Sequence, residues 1–455
     1  MSTEDPTPSR RSLTGWGRTA PSAATMVGLD DTDAVSTVVK RADDRGVIAR
    51  GLGRSYGDAA QNAGGVVVDG VVASGVSELD LENGVVTAQA GTSIHELITW
   101  LVPLGWFVPV TPGTRYVTVG GAIAADIHGK NHHRSGSWCC HVDSFRLMVG
   151  DGSVLDVRRE RDHEIFWATA GGMGLTGVIL DATIRLKPVE TSWLSVDTNR
   201  AGDLDVVMAL MSTGDNDYDY SVAWIDLVAR GRQMGRSILQ RGGFATRAEL
   251  SGRALKHPRT FKDKELIGAP PMPNGLLNHR TVRLFNEFWF RKAPQRRKGE
   301  LQTIGQFFHP LDMVRDWNRI YGSRGFLQWQ FVVPYERADV MELCVERLSR
   351  IGTASFLAVL KLFGEGDPAP LSFPRKGWTL ALDLPVTTDL APVLDELDEV
   401  IVEAGGRLYL AKDSRLRPEM MPVMYPRLDE WRETRDRLDP NGHFRSDLGR
   451  RLGLC

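Results

Sequence analysis

The chain has 455 residues, more than one typical domain holds, and its 42% hydrophobic and 25% charged residues are typical of folded globular proteins. The formal net charge of −2 excludes the basic footprint of a nucleic-acid-binding protein. No stretch approaches the roughly 18 consecutive apolar residues of a membrane-spanning helix.

The N-terminal residues 1–15 are polar and rich in Pro, Ser and Thr, a composition that predicts a disordered tail. The pair Arg10-Arg11 is not followed by the apolar stretch of an export signal. We therefore expect a soluble or peripheral membrane protein in the cytoplasm, with the periplasm as the alternative.

A glycine-rich segment, residues 51–58 (GLGRSYGD), lies between predicted strands at 47–50 and 66–69, and a helix is predicted over 33–45. Alternating glycines allow positive φ and bring several N–H groups close to an anion, which favours a phosphate cradle. A dinucleotide-binding Rossmann unit is excluded, because too few residues separate the glycines from the second strand. The alternative is a tight turn between two strands.

Two turn signals organise the rest of the first domain. Asn83-Gly84 and Asp151-Gly152 predict hairpins between antiparallel strands. A helix is predicted over 93–104, because Ser93 and Glu96 have the spacing of a capping box.

Two further glycine segments, residues 112–129 and 166–179, complete the pattern. Small residues at three separated places let a long, flat ligand lie against backbone. The three segments together favour a large dinucleotide bound in extended form.

Beyond residue 191 the texture changes to apolar strand-like runs alternating with helical stretches such as 338–351 and 390–404. A sheet backed by helices is the expected substrate domain. Residues 235–300 are basic, Pro-rich and aromatic, and we interpret them as long loops with one short helix. A last helix is predicted over 424–438, with Arg432, Arg435 and Arg437 on a solvated face.

Several strings resemble FAD-linked oxidases of the vanillyl-alcohol oxidase / para-cresol methylhydroxylase superfamily. They are most similar to its actinobacterial branch that oxidises the 2'-hydroxyl of decaprenylphosphoryl-β-D-ribose. The strings are residues 51–58, 128–133 (HGKNHH), 306–313 (QFFHPLDM), 326–331 (FLQWQF), 361–364 (KLFG), 406–415 (GRLYLAKDSR) and the C-terminal 439–448 (DPNGHFRSDL).

This resemblance implies an α+β, two-domain FAD-linked oxidase, with a PCMH-type FAD-binding domain and a sheet-and-helix substrate domain. The implied limits are 16–191 for the FAD-binding domain and 192–406 for the substrate domain. Residues 407–455 would then return to the FAD-binding domain.

The resemblance also implies which residues hold FAD. Relatives with covalent flavin carry a linking histidine where this chain has Arg54, so we expect the FAD to be non-covalent. The implied FAD-binding residues are Gly51, Leu52, Gly53, Arg54, Ser55, Tyr56, Gly57, Gly113, Thr114, Thr118, Gly120, Gly121, Ala125, His128, Gly174, Gly177, Ile179 and Tyr409.

Lys412 is the first candidate for taking the hydroxyl proton, because desolvation lets a lysine act as a base. Its alternatives are a charged lysine that stabilises the developing alkoxide and a surface lysine paired with Asp413. Tyr56 is the second candidate, since its phenol lies in the glycine loop. The implied substrate-binding residues are His128, Trp224, Gln328, Gln330, Lys361, Ala381, Asp383 and Lys412.

Two local features, the histidine cluster and the residue at position 381, limit the chemistry expected at the site. The cluster of His128, His132 and His133 has no acidic third ligand nearby and a glycine interrupts it, so we expect no metal. Ala381 stands where the most similar oxidases commonly carry cysteine, and no step above requires that thiol.

The function implied by the resemblance is oxidation of the ribose to a 2'-keto sugar, which a partner reductase would convert to the arabinose epimer for cell-wall arabinan. A polyprenyl substrate also implies peripheral contact with the membrane. One alternative is a soluble alditol or aldonolactone oxidase that uses oxygen. Another is a flavin-binding scaffold without turnover.

Overall fold

The computed structural model describes residues 9–262, 268–352 and 355–455. Its strands are β1 (Ser9–Leu13), β2 (Ser22–Gly28), β3 (Val47–Arg50), β4 (Val66–Asp69), β5 (Val76–Asp80), β6 (Val85–Gln89), β7 (Trp106–Phe107), β8 (Val142–Met148), β9 (Val154–Arg158), β10 (Val178–Arg185), β11 (Lys187–Pro188), β12 (Trp193–Ala201), β13 (Tyr220–Ile225), β14 (Ser237–Phe244), β15 (Arg296–Thr303), β16 (Phe326–Val333), β17 (Ala358–Phe363), β18 (Gly377–Pro385) and β19 (Arg407–Leu408).

The α-helices alternate with these strands, and none of them, within the described ranges, is both long and apolar enough to cross a bilayer. They are α1 (Thr32–Lys40), α2 (Ile94–Leu101), α3 (Val119–Ala124), α4 (His132–Ser135), α5 (His163–Thr169), α6 (Leu204–Gly214), α7 (Gly252–Lys256), α8 (His279–Lys292), α9 (Ile304–Phe308), α10 (Ala338–Ile351), α11 (Leu390–Glu403), α12 (Met421–Met424), α13 (Leu428–Leu438) and α14 (Asp447–Arg451).

The first sheet has the order β1-β2-β4-β3, and both β2 and β3 run parallel to β4. Helix α1 begins at Thr32, where the Asp31 side chain accepts a hydrogen bond from the N–H of Ala34. It buries Val35 and Val39 in a cluster with Val47. The parallel pair β3 and β4 therefore presents the glycine loop that joins them at one end of this sheet.

The second sheet is antiparallel, in the order β5-β6-β10-β8-β9. Its two predicted hairpins form at Asn83-Gly84 and Asp151-Gly152, where both glycines have positive φ. Helix α2 has the predicted capping box and ends at Leu101, before a short 3₁₀ turn that contains Pro103. This sheet packs the second and third glycine segments against its face.

The third sheet is antiparallel and has eight strands, in the order β15-β12-β14-β13-β17-β18-β16-β19. Helices α10 and α11 cover it, because each buries one apolar stripe, with Met341 and Leu348 on α10 and Leu394 and Ile401 on α11. The uncovered face of its central strands is left to line a cavity.

The C-terminal segment leaves the third sheet after β19 and packs on the first domain. The N–H of Val47 donates to the carbonyl of His443 (2.8 Å), and the N–H of Arg445 donates to the carbonyl of Val47 (3.0 Å). Buried Trp431 donates its indole N–H to the carbonyl of Ala168 (2.9 Å). The domain limits at 191/192 and 406/407 stay predictions.

Three predictions are wrong. Residues 9–13 of the predicted disordered tail form β1, because pairing with β2 orders a strand whose side chains are mostly exposed; residues 1–8 lie outside the described residues. Within 235–300, the long-loop interpretation fails, since β14, α8 and most of β15 lie there. Arg435 is buried beside Asp439 (3.6 Å) rather than solvated.

Candidate active site

A cavity of about 1060 Å³ lies between the three glycine segments of the first domain and the uncovered face of the third sheet. Pockets for drug-sized ligands usually have about 300–1,000 Å³, so this one has room for a dinucleotide and part of a second ligand. Most of the predicted site residues line it. Those on the cofactor side are Gly51, Leu52, Gly53, Arg54, Ser55, Tyr56, Gly113, Thr114, Thr118, Gly120, Gly121, Ala125, His128, Gly174, Gly177, Ile179 and Tyr409.

The glycine loop requires glycine at two positions, because one has no room for a side chain and the other has a positive φ. A Cβ on Gly51 would stand 2.2 Å from Oγ1 of Thr118, and Gly53 has a φ of +65°. Gly57 is not among the residues that line the cavity, and its predicted role in binding FAD stays a prediction. A Cβ there would stand 1.9 Å from the carbonyl oxygen of Asp413, so Gly57 lets the C-terminal segment pack against the loop.

Arg54 provides a positive charge in the wall of the cavity. Its guanidinium carbon lies 3.9 Å from the ring centroid of Trp16, and its buried Nε has no hydrogen-bond partner. Desolvation lowers the pKa of Arg54, although Asp312 and other groups oppose this. A cation beside a glycine loop fits the pyrophosphate of a dinucleotide, because it supplies a counter-charge to the phosphates.

His128 is held as a neutral imidazole. The side-chain amide of Gln330 donates to its Nε2 (3.0 Å) and also to Oγ1 of Thr379 (3.2 Å). Desolvation by burial, followed by the nearby lysines, lowers the pKa of His128 well below its usual range. Because Nε2 accepts, Nδ1 carries the proton, and this buried Nδ1 has no hydrogen-bond partner among the described residues. It remains available to a bound ligand.

Three lysines line the same part of the cavity: Lys412, Lys361 and Lys130. Desolvation lowers the pKa of Lys361 to about 7, with the neighbouring lysines as a further cause, and lowers that of Lys130 to about 7. Desolvation also lowers the pKa of Lys412, while the charge of Asp383 raises it. Near pH 7 these lysines can therefore be neutral, and they can become positively charged when an anion binds beside them.

Tyr56 and Lys412 are brought together although 356 positions separate them. The N–H of Tyr56 donates to the carbonyl of Ala411 (3.0 Å), and Nζ of Lys412 lies 4.4 Å from the ring centroid of Tyr56. Desolvation raises the pKa of Tyr56 well above its usual range. A phenol that stays protonated donates a hydrogen bond, which favours Lys412 over Tyr56 as the group that accepts a proton.

On the substrate side, Trp224, Gln328, Gln330, Lys361, Ala381 and Lys412 line the cavity, together with His128. Asp383 does not line the cavity, and its predicted role in binding substrate stays a prediction. It is fully buried behind Gln328, its cross-strand neighbour, whose side-chain amide donates to Oδ1 of Asp383. Burial raises the pKa of Asp383. Asp383 is therefore a positioning residue for Gln328 and Lys412.

The other two histidines of the cluster support the loop. His132 is buried, and desolvation lowers its pKa to about 3. Nε2 of His133 lies 3.0 Å from the carbonyl of Tyr218 and 3.1 Å from that of Asp215. Among the described residues, no group of three or more His, Cys, Asp and Glu side chains is arranged to hold a metal ion.

Sequence reasoning missed several lining residues. Lys130 lies inside the string HGKNHH but was given no role, and Trp16 is too far from the glycine loop in sequence for any pattern to connect them. Phe285 and Trp289 line the mouth from α8, within the stretch interpreted as loops. The only signal for these two was their aromatic composition.

Comparisons with known proteins agree with this geometry. The sequence matches the FAD binding domain family over residues 23–158 and the D-arabinono-1,4-lactone oxidase family over residues 386–452. It is 46% identical to decaprenylphosphoryl-beta-D-ribose oxidase of Mycolicibacterium smegmatis, over 99% of both chains. It is 23% identical to L-gulonolactone oxidase 3 of Arabidopsis thaliana, over 82% of this chain and 70% of that one. The predicted fold class, FAD cofactor and oxidoreductase class are confirmed.

Proposed function

Because the chain belongs to the decaprenylphosphoryl-β-D-ribose oxidase family of FAD-dependent oxidoreductases, we propose that it oxidises the ribose 2'-hydroxyl of decaprenylphosphoryl-β-D-ribose. The product is the 2'-keto sugar. Reduction of that ketone from the opposite face gives the arabinose epimer, the donor for cell-wall arabinan. The reaction is therefore the first half of an epimerisation, and a partner keto-sugar reductase completes it.

The observation that carries this proposal is the convergence of Lys130, Lys361 and Lys412 beside the glycine loop. A neutral polyol or lactone has no anion to engage several lysines. A sugar joined to a phosphate has one, and its binding would restore the charge that desolvation removes from Lys361 and Lys130.

The cofactor side of the cavity would hold FAD without a covalent bond. The glycine loop and Arg54 would bind the pyrophosphate, and no histidine stands at position 54 to form a link. Bound FAD supplies an acceptor for the hydride that leaves the ribose carbon. Acid precipitation that left the flavin on the protein pellet would contradict the non-covalent assignment.

Lys412 in its neutral form accepts the proton of the 2'-hydroxyl, so that the C–H bond breaks as the C=O bond forms. The phenol of Tyr56 donates a hydrogen bond in the same region. Gln328 and Gln330, fixed by Asp383 and by His128 with Thr379, orient the sugar hydroxyls. Lys361 and Lys130 bind the phosphate.

The prenyl chain leaves the cavity on its apolar side, where Trp224 and two residues of α8, Phe285 and Trp289, lie. We propose peripheral association with the membrane for this reason. A cytoplasmic location stays a prediction, which protease protection of the protein in intact spheroplasts would check.

The experiment that tests the function is anaerobic bleaching of the flavin absorbance of the purified holoprotein. We expect a short-chain polyprenylphosphoryl-ribose to bleach it, and xylitol or an aldonolactone to leave it unchanged. Bleaching by the free polyol or lactone alone would reassign the protein to the soluble sugar oxidases. If none of these compounds bleached the flavin, the remaining interpretation would be a flavin-binding scaffold without turnover.

A further inference from the structure

Helix α8 (His279–Lys292) is attached to the protein by a narrow face that buries one apolar residue, Val282, and one polar residue, Asn286. Fully buried Asn286 donates its amide N–H to Oδ1 of Asp226 (2.7 Å). Arg236 bridges this carboxylate (2.8 Å) and Glu287 (2.7 Å). Buried ion pairs of this kind fix an orientation, because breaking them leaves charges without partners.

The opposite face of α8 exposes large apolar side chains. Leu284 is 74% exposed and Phe288 is 63% exposed, while Phe285 and Trp289 are 44% and 42% exposed. Their spacing places all four on one side of the helix. A surface helix normally buries such residues, so this exposed apolar face indicates a surface that meets another apolar medium.

Basic side chains surround this apolar face. Residues 279–298 contain seven Arg and Lys residues and one acidic residue, Glu287, in a chain whose formal net charge is −2. They are all exposed: Arg280, Arg283, Arg291, Lys292, Arg296, Arg297 and Lys298. Exposed apolar residues with a cationic rim are typical of helices that lie in the headgroup region of anionic membranes.

The same helix reaches the cavity. Phe285 and Trp289 stack with ring centroids 6.1 Å apart, and both line the cavity together with Lys292. An apolar surface thus continues from the outer face of α8 into the cavity that holds the lysine cluster.

We propose that α8 docks on an anionic phospholipid bilayer, with Leu284 and Phe288 in the acyl-chain boundary and the basic residues among the headgroups. A prenyl lipid then passes along Phe285 and Trp289 into the cavity without crossing water. This second step rests on the proposed function, whereas the docking itself does not.

The test is co-sedimentation of the FAD-loaded full-length protein with vesicles. One set contains phosphatidylcholine and phosphatidylglycerol, the other phosphatidylcholine alone. We expect the wild type to bind the anionic vesicles, and the double variant Leu284→Gln, Phe288→Gln to bind them at least about tenfold more weakly. The matched control is Val206→Gln, Val423→Gln, which removes exposed apolar residues elsewhere (43% and 62% exposed) and should bind as the wild type does.

The charge contribution is tested with Arg280→Gln, Arg283→Gln, which should lose roughly fivefold in affinity for anionic vesicles per removed charge. Every variant is also assayed for flavin bleaching by the short-chain substrate, which needs no membrane and should be unaffected.

Binding that persists unchanged in Leu284→Gln, Phe288→Gln would overturn the docking surface. So would a wild type that binds neither vesicle, and a protein partner would then be the occupant to test. If the wild type binds vesicles but the lipid-linked ribose does not bleach its flavin, docking stands and the proposed function fails. If the lipid-linked ribose bleaches the flavin but the wild type binds no vesicles, the proposed function stands and the docking fails.

Discussion

The two walls of the cavity are built differently. The cofactor wall, residues 50–56, 111–130 and 173–179, is mostly backbone and small side chains, with the Arg54 guanidinium stacked on Trp16. The substrate wall, formed by β13, β16, β17 and β18 with Lys412, presents lysine, amide and aromatic side chains from strands far apart in sequence. The glycine loop and Arg54 of the first wall shape the cofactor side, whereas His128 and Lys130, at the end of residues 111–130, belong with the titratable groups of the second wall. Substitutions in the glycine loop and at Arg54 should therefore affect cofactor affinity, and those among the titratable groups should affect chemistry and substrate choice.

The largest expected effect is on the substrate wall, at Lys412. Lys412→Met should slow flavin bleaching by the lipid-linked ribose by about 10²–10⁴-fold, because it removes the group that accepts the hydroxyl proton, while the FAD content stays unchanged. Stopped-flow absorbance measures both. Lys412→Arg is the discriminating variant, since arginine keeps the charge but does not release its proton. If Lys412→Arg bleached the flavin at a rate near that of the wild type, Lys412 would act by electrostatic stabilisation and not as a base.

The matching substitution on the cofactor wall is Arg54→Gln. It should weaken FAD binding by about 10–100-fold, the contribution of one or two charge-assisted hydrogen bonds, and change the bleaching rate of the loaded enzyme little. Quenching of flavin fluorescence during titration of the apoprotein gives the affinity. Arg134→Gln, at a half-exposed arginine, is the control. An unchanged FAD affinity would show that the loop binds the pyrophosphate without Arg54.

The third test concerns the phosphate. Lys361 and Lys130 have pKa values lowered to about 7, so both lose their positive charge as the pH rises through that value. We expect kcat/KM for the lipid-linked ribose to contain a limb that falls above about pH 7. Lys361→Gln should lower kcat/KM about tenfold below pH 7 and flatten this limb. The exposed Lys376→Gln is the control, and a limb of equal steepness in Lys361→Gln would remove Lys361 from phosphate binding.

The smallest effect is expected behind the substrate wall, at Asp383. Its negative charge raises the pKa of Lys412, so Asp383→Asn should lower that pKa. Because the base works in its neutral form, the acidic limb of kcat/KM should move to lower pH, by less than about one unit. Asparagine still accepts the hydrogen bond from Gln328, which keeps the wall in place. A shift to higher pH would contradict the positioning role.

The two walls also differ in how far the sequence predicts them. The cofactor wall follows from contiguous glycine segments, and hairpins such as Asn83-Gly84 follow from turn chemistry. Helix α10 follows from its apolar period, which matches the predicted bounds 338–351. In each case, the determining interactions are local in the chain.

The remaining features depend on partners that are distant in sequence. Strand β1 is ordered by its pairing with β2, and α8 is longer than the one short helix predicted within 235–300, because its buried Val282 and Asn286 find their partners far away in the sequence. Ala381 and Asp383 lie on β18, and the resemblance implies that both bind substrate. The side chain of Gln328 nevertheless covers Asp383, a contact between β16 and β18 that no local pattern contains.

The central claim is that the substrate wall directs the ribose 2'-carbon to the hydride acceptor. Its most direct test is the rate of anaerobic flavin bleaching with two short-chain polyprenylphosphoryl-ribose substrates, one deuterated at ribose C2 and one at C3. Our account predicts a primary isotope effect for the C2-deuterated substrate and none for the other. An isotope effect at C3, or equal rates for both, would contradict it.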